Sequence, residues 1–236
     1  MLKTDNDTVA LYTFESGSGA TMVDVTGKHN GKILGSTIKR VAGKTGCGKA
    51  LQFTGAASTT SNYATIPDST DWRLTQGSVD FWVRLDSPTL SGPQGILTRD
   101  AAGNAKGQLS IFRTCAGRIM VRVQTGGTSH HSACSDPVTP GAWQYVVVNF
   151  GSPGLKMWID GKRANFKGQD AIGQTCMIKL ECGLGGSTGL LKAEKLPWVI
   201  GAASYYYTPK SPKMYDHMKG AIDSLRISKI KRSFQP

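Results

Sequence analysis

The run Ser78-Val-Asp-Phe-Trp-Val-Arg84 alternates strictly, with Val79, Phe81 and Val83 on one side of the chain. A hydrophobic period of two marks a β-strand with one face on a core. Runs of the same kind recur at 8–14, 50–53, 63–66, 143–150, 155–162, 198–201 and 218–228, with short strands around a turn at 32–35 and 38–41 and three successive meander strands at 95–99, 107–113 and 117–123. Glycine, present 29 times, stands between many of them, as tight turns between short strands require. Asp160-Gly161 is the strongest of these turn signals. Long amphipathic helices usually draw on Glu, and this chain has only Glu15, Glu181 and Glu194. The pattern predicts an all-β chain of roughly a dozen strands without a helix.

Hydrophobic residues make up 39% of the 236 and charged residues 19%, which favours a packed core over disorder. The formal net charge is +12. Such a balance suits polyanionic neighbours, among them acidic glycans, nucleic acid or an acidic protein surface, as well as plain solubility. Basic residues gather toward the end, at Lys210, Lys213, Lys219, Arg226, Lys229, Lys231 and Arg232. Arg84, Arg99, Arg113, Arg118 and Arg122 alternate with apolar residues and are expected to form a basic stripe on one sheet face. Nucleic acid is disfavoured, because there is no aromatic RNP-like motif, finger spacing or basic helix.

No apolar run reaches the length of a signal peptide or a membrane span. The five cysteines, Cys47, Cys115, Cys134, Cys176 and Cys182, lack zinc-site spacing. Two readings stay open for them: buried thiols, or pairs Cys176–Cys182 and Cys115–Cys134 in an oxidising compartment.

Three spaced fragments carry a resemblance. They are Tyr12-Thr-Phe-Glu-Ser-Gly-Ser-Gly-Ala with Asp24-Val-Thr-Gly-Lys-His-Asn-Gly31, then Gly48-Lys-Ala-Leu-Gln-Phe-Thr-Gly55, then Lys219-Gly-Ala-Ile-Asp-Ser-Leu-Arg-Ile227. Trp143 to Phe150, Leu155 to Lys162 and Trp198 to Gly201 add three strand patterns. Order and spacing resemble the concanavalin A-like lectin/glucanase superfamily, in particular its laminin-G-like domains. The resemblance implies a two-sheet antiparallel β-sandwich, a jelly roll. It would form one domain over 1–236, with its core at about 8–228, an insertion at 167–197 and a basic tail at 229–236.

That superfamily holds both sugar binders and sugar-cleaving enzymes, and the fold does not choose between them. The paired carboxylates of laminarinase-type relatives, Glu-x-Asp-x-x-Glu or Glu-x-Asp-x-Glu, are missing here. His130-His131 reads as a loop feature, and most aspartates (Asp68, Asp71, Asp86, Asp100, Asp136, Asp160) read as turn residues. No enzymatic activity is therefore expected. The resemblance also implies one structural Ca²⁺, with Asp223 as its carboxylate and Asn30 and Gly31 as the carbonyl-bearing turn.

Binding is expected where a connection exceeds what the fold requires. Tyr205, Tyr206, Tyr207, Lys210, Lys213 and Tyr215 lie in such a stretch, and exposed aromatics beside hydrogen-bonding groups suit a sugar face. The expected partner is a glycan or a neighbouring capsid subunit, with a homo-oligomer among the assemblies this admits. The reading is of a bacteriophage decoration or attachment protein, in a virion or outside the cell. Its alternative is the carbohydrate-binding module of a secreted bacterial protein.

Overall fold

A computed structural model describes residues 2–17, 19–44, 48–56, 61–86, 93–101, 105–127, 129–172, 176–186, 189–190, 195–204, 208 and 213–233. Its strands, in chain order, are β1 (Thr8–Tyr12), β2 (Thr21–Met22), β3 (Gly31–Leu34), β4 (Lys39–Ala42), β5 (Lys49–Thr54) and β6 (Tyr63–Ile66). Next come β7 (Gly77–Leu85), β8 (Gln94–Arg99), β9 (Leu109–Arg113), β10 (Arg118–Gly126), β11 (Ser129–Pro137) and β12 (Trp143–Phe150). The last are β13 (Lys156–Ile159), β14 (Lys162–Arg163), β15 (Gly168–Ile172), β16 (Ile178–Cys182), β17 (Trp198–Ile200) and β18 (Lys219–Ser228). Among the described residues the one helical turn is a 3₁₀ turn at Thr70–Trp72.

Two antiparallel sheets face each other, and a small hairpin joins them. Sheet 1 runs β14-β13-β12-β7-β18-β5-β4, with β1 also paired to β18. Sheet 2 runs β11-β10-β9-β8-β17-β6-β3-β2. The expected all-β sandwich is the observed architecture, with β8, β9 and β10 as a meander. Val79, Phe81 and Val83 point to the core, as their alternation predicts, together with Phe53, Phe150, Ile111, Val121 and Trp198. Trp72 is fully buried and meets Trp198 edge-on, ring centroids 6.3 Å apart. Full burial of such apolar side chains contributes about 1.5–3 kcal/mol each.

Strand β18 is the seam of sheet 1. Lys219–Ile222 pair with β5, whereas Leu225–Ser228 pair with β1. A bulge between Asp223 and Arg226, with Ser224 at φ 51°, marks the change of partner. The turn motif beginning at Asp24 braces β1 from the other side. The Asp24 carboxylate accepts hydrogen bonds from the backbone N–H groups of Leu11, Thr26, Lys28 and His29 and from the Thr26 hydroxyl. Gly31, the first residue of β3, is so crowded within sheet 2 that an added Cβ would lie 2.3 Å from Met22 and 2.6 Å from the Thr65 carbonyl oxygen.

Three expectations are corrected. The cysteines pair as Cys115–Cys176 and Cys134–Cys182, not between near neighbours. Both bonds fasten the β15–β16 hairpin, inside the expected insertion, onto sheet 2. Second, the basic stripe does not form. Arg99 and Arg113 are buried and Arg84 lies on sheet 1. Arg118 covers the Phe166 ring at 3.5 Å, and Arg122 is bonded to Asp100. Third, His130, His131 and Asp136 stand on strand β11 rather than in loops. Cys47 lies outside the described residues.

Candidate functional site

Strands β8, β9 and β10 turn Leu97, Ile111, Val121 and Val123 toward the core. Alternation then sends Thr98, Ser110, Phe112 and Arg122 to the outer face of sheet 2. Register places three of these in one row: Thr98 is opposite Ser110, and Ser110 is opposite Arg122. Directly opposed residues on one face are near enough to act together.

Two covers leave this row between them. At one end the hairpin packs Cys182 on Phe112, Met120 and Cys134. At the other, Ala202 and Met214 pack on Tyr63 and Val199. The second cover is fastened by Ala203 and Tyr215, which exchange backbone hydrogen bonds of 2.8 and 3.0 Å. Gly95 lets β8 approach this segment, since a Cβ there would lie 2.2 Å from the Ala202 carbonyl carbon.

A polar cluster fills the gap. The Ser110 hydroxyl and an Arg122 Nη both donate to Asp100, at 2.5 and 2.6 Å. The Ser204 hydroxyl accepts from the Asp100 backbone N–H at 3.2 Å and lies 2.9 Å from the Thr98 hydroxyl. A pocket of about 20 Å³ opens among Thr98, Ser110, Phe112, Arg122, Ala203 and Asp216, room for a single water-sized group. The Arg122 side chain is 11% exposed, and its Nε–H finds no acceptor within the protein. Asp100 thus fixes a planar cation, with a free donor, beside two hydroxyls. Such a fork recognises carboxylate and other oxygen acceptors.

Tyr205, Tyr206, Tyr207 and Lys210 lie outside the described residues. Lys213 is exposed and Tyr215 half-buried. Ser204 and Asp216, which flank the stretch expected to bind, both border the groove. Sequence reasoning thus reached the edge of this site and named Arg122 only within a basic stripe that does not form, but missed Thr98, Asp100 and Ser110 as parts of it. The meander β8–β10 was legible; the register that aligns its polar outer positions was the missing signal.

The expected calcium ligands are not brought together. Asp223 sits opposite Trp82, on the face where Lys44 Nζ covers that ring at 3.8 Å. Its carboxylate accepts from the Lys44 backbone N–H and the Ser224 hydroxyl, each at 3.0 Å. Burial, and then the Glu15 charge, push its carboxyl up to about 6. The Asn30 side chain accepts instead from the Asp24 backbone N–H, and Gly31 lies in sheet 2. Among the described residues no three His, Cys, Asp or Glu side chains gather as a metal site. Arg226, three residues further along β18, is held by Asp80 at 2.8 Å instead of by Asp223.

Comparison with known proteins agrees with this architecture. Residues 58–171 match a laminin-G family model of the concanavalin A-like lectin/glucanases superfamily, the one its motifs resemble. Among solved structures, Trypanosoma rangeli sialidase in complex with 2,3-difluorosialic acid is 12% identical, with a TM-score of 0.62, over 98% of this chain and 32% of that one. A structure from work on botulinum neurotoxin type C and its interaction with two ganglioside molecules is 11% identical, with a TM-score of 0.63, over 97% of this chain and 49% of that one. At such identities the likeness is one of fold. The chain spans about a third of the length of the first of these structures and about half of the second. No curated protein matches it.

Proposed function

We propose that this is a non-catalytic glycan-binding domain that takes an acidic sugar on the outer face of sheet 2. The observation that carries the reading is the Thr98–Ser110–Arg122 row, whose arginine is held by Asp100 with its Nε–H unbonded within the protein. A sugar carboxylate matches that donor, and sugar hydroxyls match Thr98 and Ser110. The net charge of +12 favours an anionic partner. Proteins of similar fold are described with sialic acid derivatives and gangliosides, which supports the same ligand class.

Catalysis has little support in this groove. Glycoside hydrolysis usually sets two carboxylates across the scissile bond, and Asp100 is already engaged by Arg122 and Ser110. The buried Asp223, whose carboxyl is pushed up, belongs to the other sheet. The two disulfides support a place outside the reducing cytosol. A decoration or attachment subunit of a bacteriophage particle is the finer form of this reading, tested by mass spectrometry of purified particles.

Titration with sialyllactose, and with lactose as the neutral control, tests the groove. Sialyllactose should bind more tightly. Arg122→Lys keeps a cation for Asp100 but loses the fork, and should weaken binding roughly tenfold or more. Equal affinity for both sugars, or an unaffected variant, would sink the proposal.

A further inference from the structure

We infer a second ligand site, independent of the groove on sheet 2, in the mouth of the sandwich beside Gln144. On β12, Trp143 and Tyr145 face outward, whereas Val146 and Val148 face the core. Gln144 shares the inward phase of Val146, at the open end of the strand. Its side chain therefore enters between the sheets, where the end of β11 and the β13–β14 hairpin form the opposite walls.

The cleft there has a volume of about 200 Å³, several water molecules' worth. Val138, Ile159 and Ala164 give it an apolar side. The Ser135 hydroxyl is already engaged, donating to the Asp136 carbonyl and accepting from the Ile119 N–H. Gln144 is only 7% exposed, and its Oε1 has no donor among the protein's own groups. A buried acceptor in a polar, open cleft marks the place for a donor from outside. At the rim, Lys162 and Asp136 form an exposed ion pair at 2.8 Å. Such a pair is weakly held and free to rearrange.

This combination fits one sugar ring. An apolar C–H face would lie on Val138 and Ile159, and one hydroxyl would donate to Gln144 Oε1. Neighbouring hydroxyls would then bridge Asp136 and Lys162. The ligand class is a single neutral monosaccharide or the terminal residue of a glycan, since the space does not admit a longer chain end to end.

The test is an NMR titration of the whole chain with free glucose, galactose, mannose and N-acetylglucosamine. At least one should shift the Gln144 side-chain amide and the backbone amides of Lys162 and Ala164, with the Arg122 signals unmoved. Gln144→Met keeps length and removes the acceptor. It should lose that response by roughly tenfold or more in affinity while melting at or above the parent temperature, because a buried acceptor without a donor has been removed. Lys162→Ala, an exposed change, should weaken the same response without altering the melt. If no sugar moves Gln144, or if Gln144→Met binds as the parent does, the site does not exist. A response confined to Arg122 would overturn this inference while leaving the groove intact.

Discussion

At the scale of single residues, Asp223 and Asp24 show how environment decides what a carboxylate does. Asp24 is saturated by hydrogen-bond donors and stays inside its own turn. Asp223 has fewer donors, sits beside Trp82, and is pushed up from 3.8 to about 6 by burial and then by Glu15. A carboxyl raised in the folded state binds its proton more tightly there than in the unfolded chain. Its effect on stability is absent below the unfolded value and grows as pH rises toward the folded one. Stability should therefore fall between pH 3.8 and about 6 on account of Asp223, then level off. Asp223→Asn should flatten that part of the profile and raise the melting temperature at neutral pH. Urea titrations of both proteins across this range check it; an unchanged slope for the variant would contradict it. The sequence showed Asp223 in a strand motif and Asn30 in a turn. It could not show that the bulge at Ser224 sets Asp223 on the outer face, away from that turn.

Among the elements, the strands that alternate most cleanly were the most legible. β7, β9, β10 and β12 emerge where the period of two places them, because one of their faces lies on the core. The short strands near 31–42 were also readable, but their destinations were not: β3 joins sheet 2 and β4 joins sheet 1. The cysteine pairing was hidden for the same reason. Cys115 and Cys134 find partners 61 and 48 residues away because the β15–β16 hairpin folds back over β10 and β11. Closing a loop of that length is worth about 2–4 kcal/mol. The double change Cys134→Ala with Cys182→Ala should reduce unfolding free energy by about that amount, read from chemical denaturation. A loss near zero would mean that packing of Phe112, Met120 and Phe166 already holds the hairpin. Of the candidate site, the stretch at 205–215 was visible in the sequence as excess length. The groove depends on register across three strands, which no single stretch of sequence displays.

For the molecule as a whole, the charge is divided by residue type. Many aspartates are bonded to arginines: Asp5 to Arg232, Asp68 to Arg99, Asp80 to Arg226, Asp86 to Arg84 and Asp100 to Arg122. Lysines therefore supply most of the surface excess that a polyanion would meet. Affinity for an acidic glycan should fall steadily as salt is raised, since exposed charges are screened within a Debye length of about 8–10 Å. The melting temperature should change far less over the same range, because Asp80 and Arg226 are buried. Isothermal titration and thermal melts at matched salt compare the two directly. A salt-independent affinity would remove the lysines from the binding account.

The chain ends of the sandwich lie side by side. Asp5 holds Arg232 through two hydrogen bonds, which keep the Asp5 carboxyl well below its usual range. The Lys229 N–H donates to the Asp7 carbonyl, and Thr8 is opposite Ser228 where antiparallel β1 and β18 begin to pair. Tension drawn between Asp5 and Arg232 would act on that pairing at its open end. It would peel the two strands apart one bond at a time instead of shearing all of them together. A domain fastened this way yields at low force when pulled through both ends. It withstands more when the pull enters through one end and leaves through whatever it has gripped.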